Sequence, residues 1–208
     1  MALLSSLWLT GCSVLGISEV AEPPFTVLAG VGKIEIRDYP PRVVAETTVQ
    51  ESEAAARNTG FRRIAGYIFG GNHDRTKIAM TAPVAQQHAG GSSRKIPMTA
   101  PVSQGQAGPN GWTIRFFMPT GSTIQTLPEP NDANVKLVQL PAQTFAVLRF
   151  SGSTTPTAVA REDAKLLRGL AGSGWSASGT PVAWFYNPPW TLPPLRRNEV
   201  AVPVSRTG

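Results

Sequence analysis

Side chains that commonly bind metal ions or form covalent links are few in this sequence. It has one cysteine, Cys12, and two histidines, His73 and His88, and both histidines lie in segments of loop-like composition. A structural zinc site takes four His, Cys or carboxylate ligands, usually at short spacings. A lone cysteine also excludes an intramolecular disulfide. These residues therefore predict neither a zinc site nor a disulfide-stabilised fold.

Nucleophilic and acid–base catalysis are not indicated either. The sequence has no GxSxG motif, and no cysteine follows Cys12 to pair with a histidine. Four carboxylates stand out, and each is isolated on a predicted strand or turn: Glu35, Asp38, Glu46 and Glu199. Glu199 lies close to Arg196 and Arg197, which favours a structural ion-pair cluster at the last loop. We therefore predict that the protein is not an enzyme.

The chain is basic, with a formal net charge of +6 and a pI near 10.0. Nucleic-acid-binding domains usually concentrate their basic residues on one face or along one helix. Here they are scattered, with arginine doublets only at 62–63 and 196–197, and no segment alternates basic and aromatic residues. We expect no nucleic-acid partner. The charge is compatible with anionic ligand groups or anionic lipids.

The N-terminal stretch MALLSSLWLTGC has an apolar run followed by small residues and a cysteine. Its end, Leu9 to Cys12, resembles the bacterial lipobox, which implies a signal peptide over residues 1–11 and acylation of Cys12. Residues 12–24 are then a lipid-anchored tether, and residues 25–205 the folded domain. Ser13 in place of aspartate favours the outer membrane, with the domain facing the periplasm. Because no Lys or Arg precedes Cys12, an ordinary apolar segment with a chance cysteine is the alternative.

The first half of the folded part predicts two strands and a helix. Residues 33–37 alternate polar and apolar side chains, and residues 42–49 are rich in β-branched residues, so both segments read as strands. Over residues 52–69 the spacing of apolar residues becomes helical. Four of them share one helical face: Phe61, Ile64, Ala65 and Ile68. Ser52 is a candidate N-cap, and the glycines at 70–71 predict the helix end.

Two glycines inside this helix carry a further expectation. Gly60 and Gly66 each cost up to about 1 kcal/mol relative to alanine in a helix interior. We interpret them as positions where a strand or a flat ligand approaches the helix closely.

A decapeptide occurs twice after the helix, as KIAMTAPVAQ at 77–86 and KIPMTAPVSQ at 95–104. Both copies read as extended segments that a polar, Gly-rich loop could join into a hairpin. Pro83 and Pro101 should lie at strand ends or edges, because proline lacks the amide donor. Met80 and Met98 are predicted as core residues rather than metal ligands.

The remaining elements complete a second, similar half. A helix begins with Thr155 as N-cap and Pro156 at its first position, and extends to about Leu170. Residues 171–180 read as a loop. Further strands are predicted at 112–118, 135–140, 144–150, 181–186 and 199–204. The fold class is therefore α+β, a distorted antiparallel β-barrel of about eight strands flanked by two helices, with duplicated ββαββ halves.

Motifs at three separated places, in the right order, resemble one known family. The run TGFRRIAGYIFGGN at 59–72, followed by KIAMTAPV, is similar to the SOUL heme-binding family, as is the tail YNPP at 186–189 followed by RRNEV at 196–200. The resemblance extends over about residues 24–204. It implies a barrel-like fold that binds heme b or another porphyrin non-covalently on an exposed hydrophobic surface of the first helix. The doubled MTxPV stretch, found in bacterial and plant-like members, is then part of the scaffold.

The resemblance also places the binding residues. Apolar contacts with the macrocycle fall on Phe61 and Ala65, with Ile68 on the same helical face. The basic contacts of animal members fall on Asn58 and Gly66, so Arg62, Arg57 or Arg63 would have to replace them. The position of the axial histidine in one animal branch falls near Ile36 or Arg37, which leaves iron ligation unsupported.

The sequence leaves three functions open. The first is a monomeric tetrapyrrole-binding carrier or buffer anchored in the cell envelope through Cys12. The second is a GyrI-like module that binds another hydrophobic molecule in a groove between its halves, lined by Trp112, Trp184 and Trp190. The third is a structural envelope lipoprotein without a ligand. The helical stripe at 61, 64, 65 and 68 decides between them, because it can be core or binding surface.

Overall fold

Ten antiparallel strands and two helices form the described part of the chain, which is residues 20–89, 111–188 and 190–207 of the computed structural model. The strands are β1 (Thr26–Val31), β2 (Ile34–Tyr39), β3 (Arg42–Val49), β4 (Val84–His88), β5 (Trp112–Phe117), β6 (Lys136–Leu140), β7 (Gln143–Phe150), β8 (Trp175–Ala177), β9 (Val182–Phe185) and β10 (Asn198–Arg206). The helices are α1 (Glu53–Ile68) and α2 (Pro156–Gly169), and a 3-10 turn spans Pro193–Leu195. The predicted α+β class with two helices is confirmed.

The duplicated halves exchange their first strands. Each half is a ββαββ unit, β2-β3-α1-β4-β5 and β6-β7-α2-β9-β10. Strand β2 pairs with β7 of the other unit, and β6 pairs with β3 in the same way. The sheet order is β1-β2-β7-β10-β9-β4-β5-β3-β6, with β8 paired to the end of β10. The β4–β9 pair joins the halves at the centre, so the sheet is continuous.

The sheet remains open, which corrects the expectation of a barrel. Strands β1 and β6 lie at the two ends of the order, and within the described residues neither pairs with a strand on its outer side. Exchange places β2 and β6 at opposite ends of the eight-strand core, and β1 adds to the β2 edge alone. The two edges therefore do not meet.

Side-chain alternation divides the sheet into helix-covered faces and one face without a helix. Val43 and Ala45 of β3 point into the cluster under α1, whereas Val44 points the opposite way. The cluster under α2 likewise takes alternate residues of β2, β7, β9 and β10. The face opposite both helices, here named the groove face, is lined by Tyr39, Val44, Phe117, Phe145, Trp184, Tyr186 and Ala201. Val20 and Phe25 from the segment before β1 pack over it.

Helix α1 ends as its sequence predicts. Ser52 occupies the N-cap, and Gly70 has a φ of 110°, a left-handed conformation that favours glycine. The amide of Gly71 donates to the carbonyl of Gly66 at 2.8 Å, and the amide of Gly70 donates to that of Tyr67 at 3.3 Å. This pair of bonds is the Schellman pattern that stops a helix.

The two glycines inside α1 have different surroundings, and this predicts opposite effects of alanine. A Cβ at Gly60 would lie 2.3 Å from Cγ1 of Ile114 on β5, whereas one at Gly66 has open space. Gly60→Ala should therefore destabilise the fold by about 1–3 kcal/mol through overpacking. Gly66→Ala should stabilise it by up to about 1 kcal/mol through helix propensity. Urea unfolding of the two variants checks the prediction, and equal effects of the same sign would contradict it.

The first decapeptide is not one continuous strand. Residues 77–80 lie outside strands, Thr81 makes an isolated bridge with Ala21, and β4 starts at Val84, directly after Pro83. Met80 is 37% exposed, so its prediction as a core residue is wrong. The segment runs beside the end of α1, where the amide of Ile78 donates to the carbonyl of Ile68 at 2.8 Å, and Ile78 packs on the core instead. The second copy, with Met98 and Pro101, lies outside the described residues.

Most other predicted elements are confirmed to within two residues. Helix α2 has Thr155 at its N-cap and Pro156 at its start. Strands β1 and β8 were not predicted. Strand β1 is an edge strand without regular alternation of polar and apolar residues, and β8 is only three residues long within the expected loop.

Candidate functional site

The predicted stripe on α1 divides between core and surface. Ile64 and Ile68 are fully buried against β3 and β5, so Ile68 is not available to a ligand in this structure. Phe61 is 40% exposed, Ala65 is half-buried, and Phe69 just beyond the helix is 60% exposed. These three residues follow an i, i+4, i+8 spacing, which puts them on one flank of the helix. We name Phe61, Ala65 and Phe69 the exposed stripe.

The position of Gly60 explains why the stripe is exposed. Because Gly60 packs directly on Ile114, the line of closest contact with the sheet passes through Gly60, Ile64 and Tyr67. Phe61 and Ala65, one residue further round, are turned toward the side of the helix. The Phe61 ring still packs on Phe116, with centroids 5.3 Å apart and planes at 58°. One face of this ring is therefore supported by the core.

Three arginines were candidates for anionic contacts, and only one is suitably placed. Arg57 is held by the fold, since its Nε donates to Gln86 at 2.6 Å and its Nη1 donates to the carbonyl of Thr154 at 3.2 Å. Arg63 is half-buried and its Nη1 donates to Thr47 on β3 at 3.4 Å. Arg62 is exposed, and its Nη2 donates to the hydroxyl of Thr59 at 3.4 Å. Arg62 lies next to Phe61 and is, of these three arginines, the one available beside the exposed stripe.

Neither histidine belongs to α1. His73 follows the helix end, where its Nδ1 lies 3.4 Å from Oε2 of Glu129, and His88 ends β4, with its ring 4.0 Å from that of Trp112. Ile36 is buried under α2, and Arg37 points to the groove face. Among the described residues, no three His, Cys, Asp or Glu side chains are grouped as a metal site would need. The exposed stripe thus offers stacking and charge to a flat ligand, without an axial nitrogen.

The groove face contains a buried ionic cluster that the sequence predicted only in part. Glu199 is fully buried and accepts hydrogen bonds from Arg37 at 2.8 and 3.2 Å, from Arg197 at 3.1 Å and from the Tyr186 hydroxyl at 2.6 Å. Burial alone would raise the pKa of Glu199, but the hydrogen bonds and charge of Arg37 hold that pKa below its usual range. Arg196 instead donates to the carbonyl of Thr191 at 2.8 Å.

Arg37 was missed as the main partner of Glu199 because 162 residues separate the two in sequence. The alternation of the predicted strand places Arg37 with Lys33 and Glu35 on the polar side, so the pattern does not mark Arg37 as a buried residue that needs an anion. Sequence spacing alone does not identify that anion.

The three tryptophans proposed for a groove do not line one site. Trp184 lies on the groove face, where it packs against the rings of Tyr39 and Phe145. Trp112 packs with the cluster under α1, and Trp190 is largely exposed in the loop before β10. The groove face is filled by its own side chains and by Phe25, whereas Phe61 and Phe69 on the flank of α1 are exposed.

Cys12, the predicted lipidation site, lies outside the described residues. Within the described ranges, neither helix has the length and apolar character required to cross a bilayer.

Several solved structures share the fold at low sequence identity. The C-terminal domain of EcmrR matches with a TM-score of 0.57 and 12% identity, covering 84% of this chain and 98% of that chain. EcmrR in a complex with DNA matches with a TM-score of 0.59 and 11% identity, over 84% of this chain and 57% of that one. A structure described as a hydrolase from Listeria innocua has a TM-score of 0.54 and 11% identity, covering 86% and 94% of the two chains. At these identities the similarity concerns the fold alone.

The sequence itself identifies the family. None of the curated proteins matches the chain. The model of the SOUL heme-binding protein family matches residues 20–203, which include α1, both helix-covered clusters and the groove face. The chain belongs to the SOUL heme-binding protein family.

Proposed function

We propose that this protein binds a tetrapyrrole, heme or an iron-free porphyrin, on the exposed stripe of α1. The observation that carries the proposal is a pair of exposed phenylalanines, Phe61 and Phe69, on one flank of the helix, next to the exposed Arg62. Exposed aromatic residues grouped beside a cation are typical of ligand-binding surfaces. Membership of a heme-binding family supplies the ligand class.

Each residue has a physical role in this proposal. From Phe61 to Phe69 the stripe covers eight residue steps, about 12 Å along the helix axis, and can lie against one face of a macrocycle. Phe61 and Phe69 stack on the ring system, and the small side chains at Ala65 and Gly66 let it approach the backbone. Arg62 can pair with a propionate through charge-assisted hydrogen bonds. Bound heme would add the redox and ligand-binding chemistry of its iron.

Because α1 offers no axial nitrogen, we expect binding to be independent of iron. Titrating the protein with hemin and with iron-free protoporphyrin IX, followed by absorbance and tryptophan quenching, should give saturable binding with dissociation constants within about threefold of each other, or about 0.7 kcal/mol. Binding of hemin alone would contradict this expectation and would indicate His73 or His88 as a ligand. If neither compound binds, the proposed tetrapyrrole-binding function is contradicted.

We further propose that the protein is a carrier or buffer anchored in the outer membrane, with its domain facing the periplasm. The motivation is the lipobox-like LTGC at 9–12. Two or more acyl chains on Cys12 would give stable attachment, whereas one chain binds only weakly. Labelling cells with an alkyne-bearing palmitate should mark the protein and not its Cys12→Ser variant. Equal labelling of both would exclude this anchor.

A ligand in a groove between the two halves is the second candidate function. The observation in its favour is the aromatic lining of the groove face around Trp184. Against it, Phe25 and neighbouring side chains occupy that space, while the apolar surface of α1 is open. A structural lipoprotein without ligand is the remaining alternative, and the porphyrin titration separates it from the first.

A further inference from the structure

Arg42, the first residue of β3, is a buried cation, and two of its three guanidinium nitrogens lack a hydrogen-bonding partner among the described residues. It is 9% exposed, and its Nε and Nη1 donate to no acceptor among the described residues. Burial lowers its pKa to about 10, so it still carries its charge at neutral pH. An unpaired buried charge is costly, and natural folds rarely retain one without a use.

Aromatic rings surround the Arg42 guanidinium. Its central carbon lies 4.3 Å from the centroid of the Tyr39 ring, 5.1 Å from that of Phe117 and 5.9 Å from that of Phe145. Cation–π contacts compensate part of the desolvation, but they leave the N–H donors of Nε and Nη1 without acceptors. The site therefore has both a cation and apolar walls.

The neighbouring charges on the groove face are already paired. Glu199 forms ion pairs with Arg37 and Arg197, and Glu46 forms one with Arg115 at 2.5 Å. Glu22, in the segment before β1, accepts from Nη1 of Arg197 at 2.6 Å. One positive charge, that of Arg42, is left without a carboxylate.

A small cavity lies beside Arg42. Its floor includes Tyr39, Phe117 and Trp184, and its cover is formed by Glu22, Pro23 and Phe25. The cavity volume is about 10 Å³, enough for about one water molecule and too small for an organic ligand. A ligand can therefore enter only if the cover moves.

The cover, residues 20–25, is attached by a few separate contacts. The amide of Ala82 donates to the carbonyl of Ala21 at 3.0 Å, Glu22 pairs with Arg197, and the Phe25 ring lies 5.3 Å from that of Tyr39. Residues 22–25 belong to no strand, apart from the single bridge at Ala21. Local opening of such a segment requires far less free energy than global unfolding.

We infer that the groove face holds a second binding site, for a small organic monocarboxylate with an aromatic or apolar body. Arg42 binds the carboxylate, the rings of Tyr39, Phe117 and Trp184 pack on the body, and residues 20–25 close over it. The site lies on the sheet face opposite α1, so it is separate from the exposed stripe and does not depend on tetrapyrrole binding.

The charge balance selects the ligand class. One carboxylate neutralises the single unpaired guanidinium, whose planar donors match its oxygens. A phosphate dianion would leave a second negative charge among aromatic walls, which offer it no donors. A cation would be repelled by Arg42. The site is thus specific for an anion with one charge.

Calorimetric titration of the protein with benzoate, its neutral analogue benzamide and inorganic phosphate tests the inference. Benzoate should bind with a dissociation constant of about 1 mM or lower, and the other two at least tenfold more weakly. Arg42→Gln should weaken benzoate binding at least tenfold, whereas Arg168→Gln, at an exposed arginine of α2, should not change it. The inference would be contradicted if benzoate did not bind or bound no more tightly than benzamide. It would also be contradicted if Arg42→Gln bound benzoate as tightly as the unaltered protein.

A second variant tests the cover. Glu22→Gln removes the ion pair with Arg197 and a negative charge beside the cavity, so it should strengthen benzoate binding by roughly threefold or more. Unchanged or weaker binding by this variant would contradict the role given to residues 20–25. Because Glu22 is not on a strand, this result also stands if Arg42→Gln does not fold.

Discussion

Replacing Phe61 by aspartate is expected to weaken porphyrin binding at least tenfold, which corresponds to about 1.4 kcal/mol. The substitution removes a ring that stacks on the macrocycle and places a carboxylate where propionates would be repelled. Fluorescence titration with protoporphyrin IX measures the change. Phe69→Asp, at the more exposed end of the stripe, should weaken binding in the same direction.

The matched control is Leu167→Asp on α2, because Leu167 is 43% exposed, close to the 40% of Phe61, but lies on the other helix. This variant should bind protoporphyrin like the unaltered protein. Since Phe61 also contacts Phe116, thermal unfolding must show that each variant is folded at the titration temperature. Normal binding by both Phe61→Asp and Phe69→Asp would remove the exposed stripe as the site.

Glu199→Gln should destabilise the protein by about 3 kcal/mol. The change leaves the buried Arg37 and the half-buried Arg197 with only their more exposed carboxylate partners, Glu35 and Glu22. Losing one member of a buried ion pair typically costs about 3–5 kcal/mol. Glu46→Gln is the control, because its pair with Arg115 is more exposed and should contribute about 1 kcal/mol or less. Urea unfolding at neutral pH gives both values, and similar losses in the two variants would contradict the central role of Glu199.

The same cluster predicts an acid dependence. Because folding lowers the pKa of Glu199, its contribution to stability is present above the ordinary glutamate pKa of 4.5 and is lost as the pH falls through the lower folded pKa. The free-energy difference between the unaltered protein and Glu199→Gln should therefore shrink below pH 4.5. A difference that stays constant down to the acid unfolding transition would show that Glu199 does not titrate in this way.

The local features of the fold could be predicted because their causes are local. The end of α1 follows from Gly70 and Gly71, and the start of α2 from Thr155 and Pro156. The exchange of β2 and β6 could not be predicted, because pairing between halves depends on contacts distant in sequence. The buried pair of Arg37 and Glu199 was only half predicted for the same reason.

The candidate site shows how a periodic pattern can mislead by one residue. Apolar spacing put Phe61, Ile64, Ala65 and Ile68 on one face, because glycine carries no hydrophobic signal. In the structure Gly60 marks the closest approach to β5, which turns the packed face toward Gly60 and Tyr67 and leaves Phe61 and Ala65 on the flank. Gly60 was predicted to be a point of close approach. The helix orientation that follows from it could not be predicted, because that needs the position of Ile114 in the fold.

Hydrogen–deuterium exchange of the protein with and without protoporphyrin IX tests the central proposal most directly, because it reports where the ligand binds. The account predicts slower exchange over residues 58–71, which contain the exposed stripe, and unchanged exchange over residues 20–25 and 182–186 of the groove face. Slower exchange at the groove face with no change on α1, or no change in either region at saturating ligand, would contradict it.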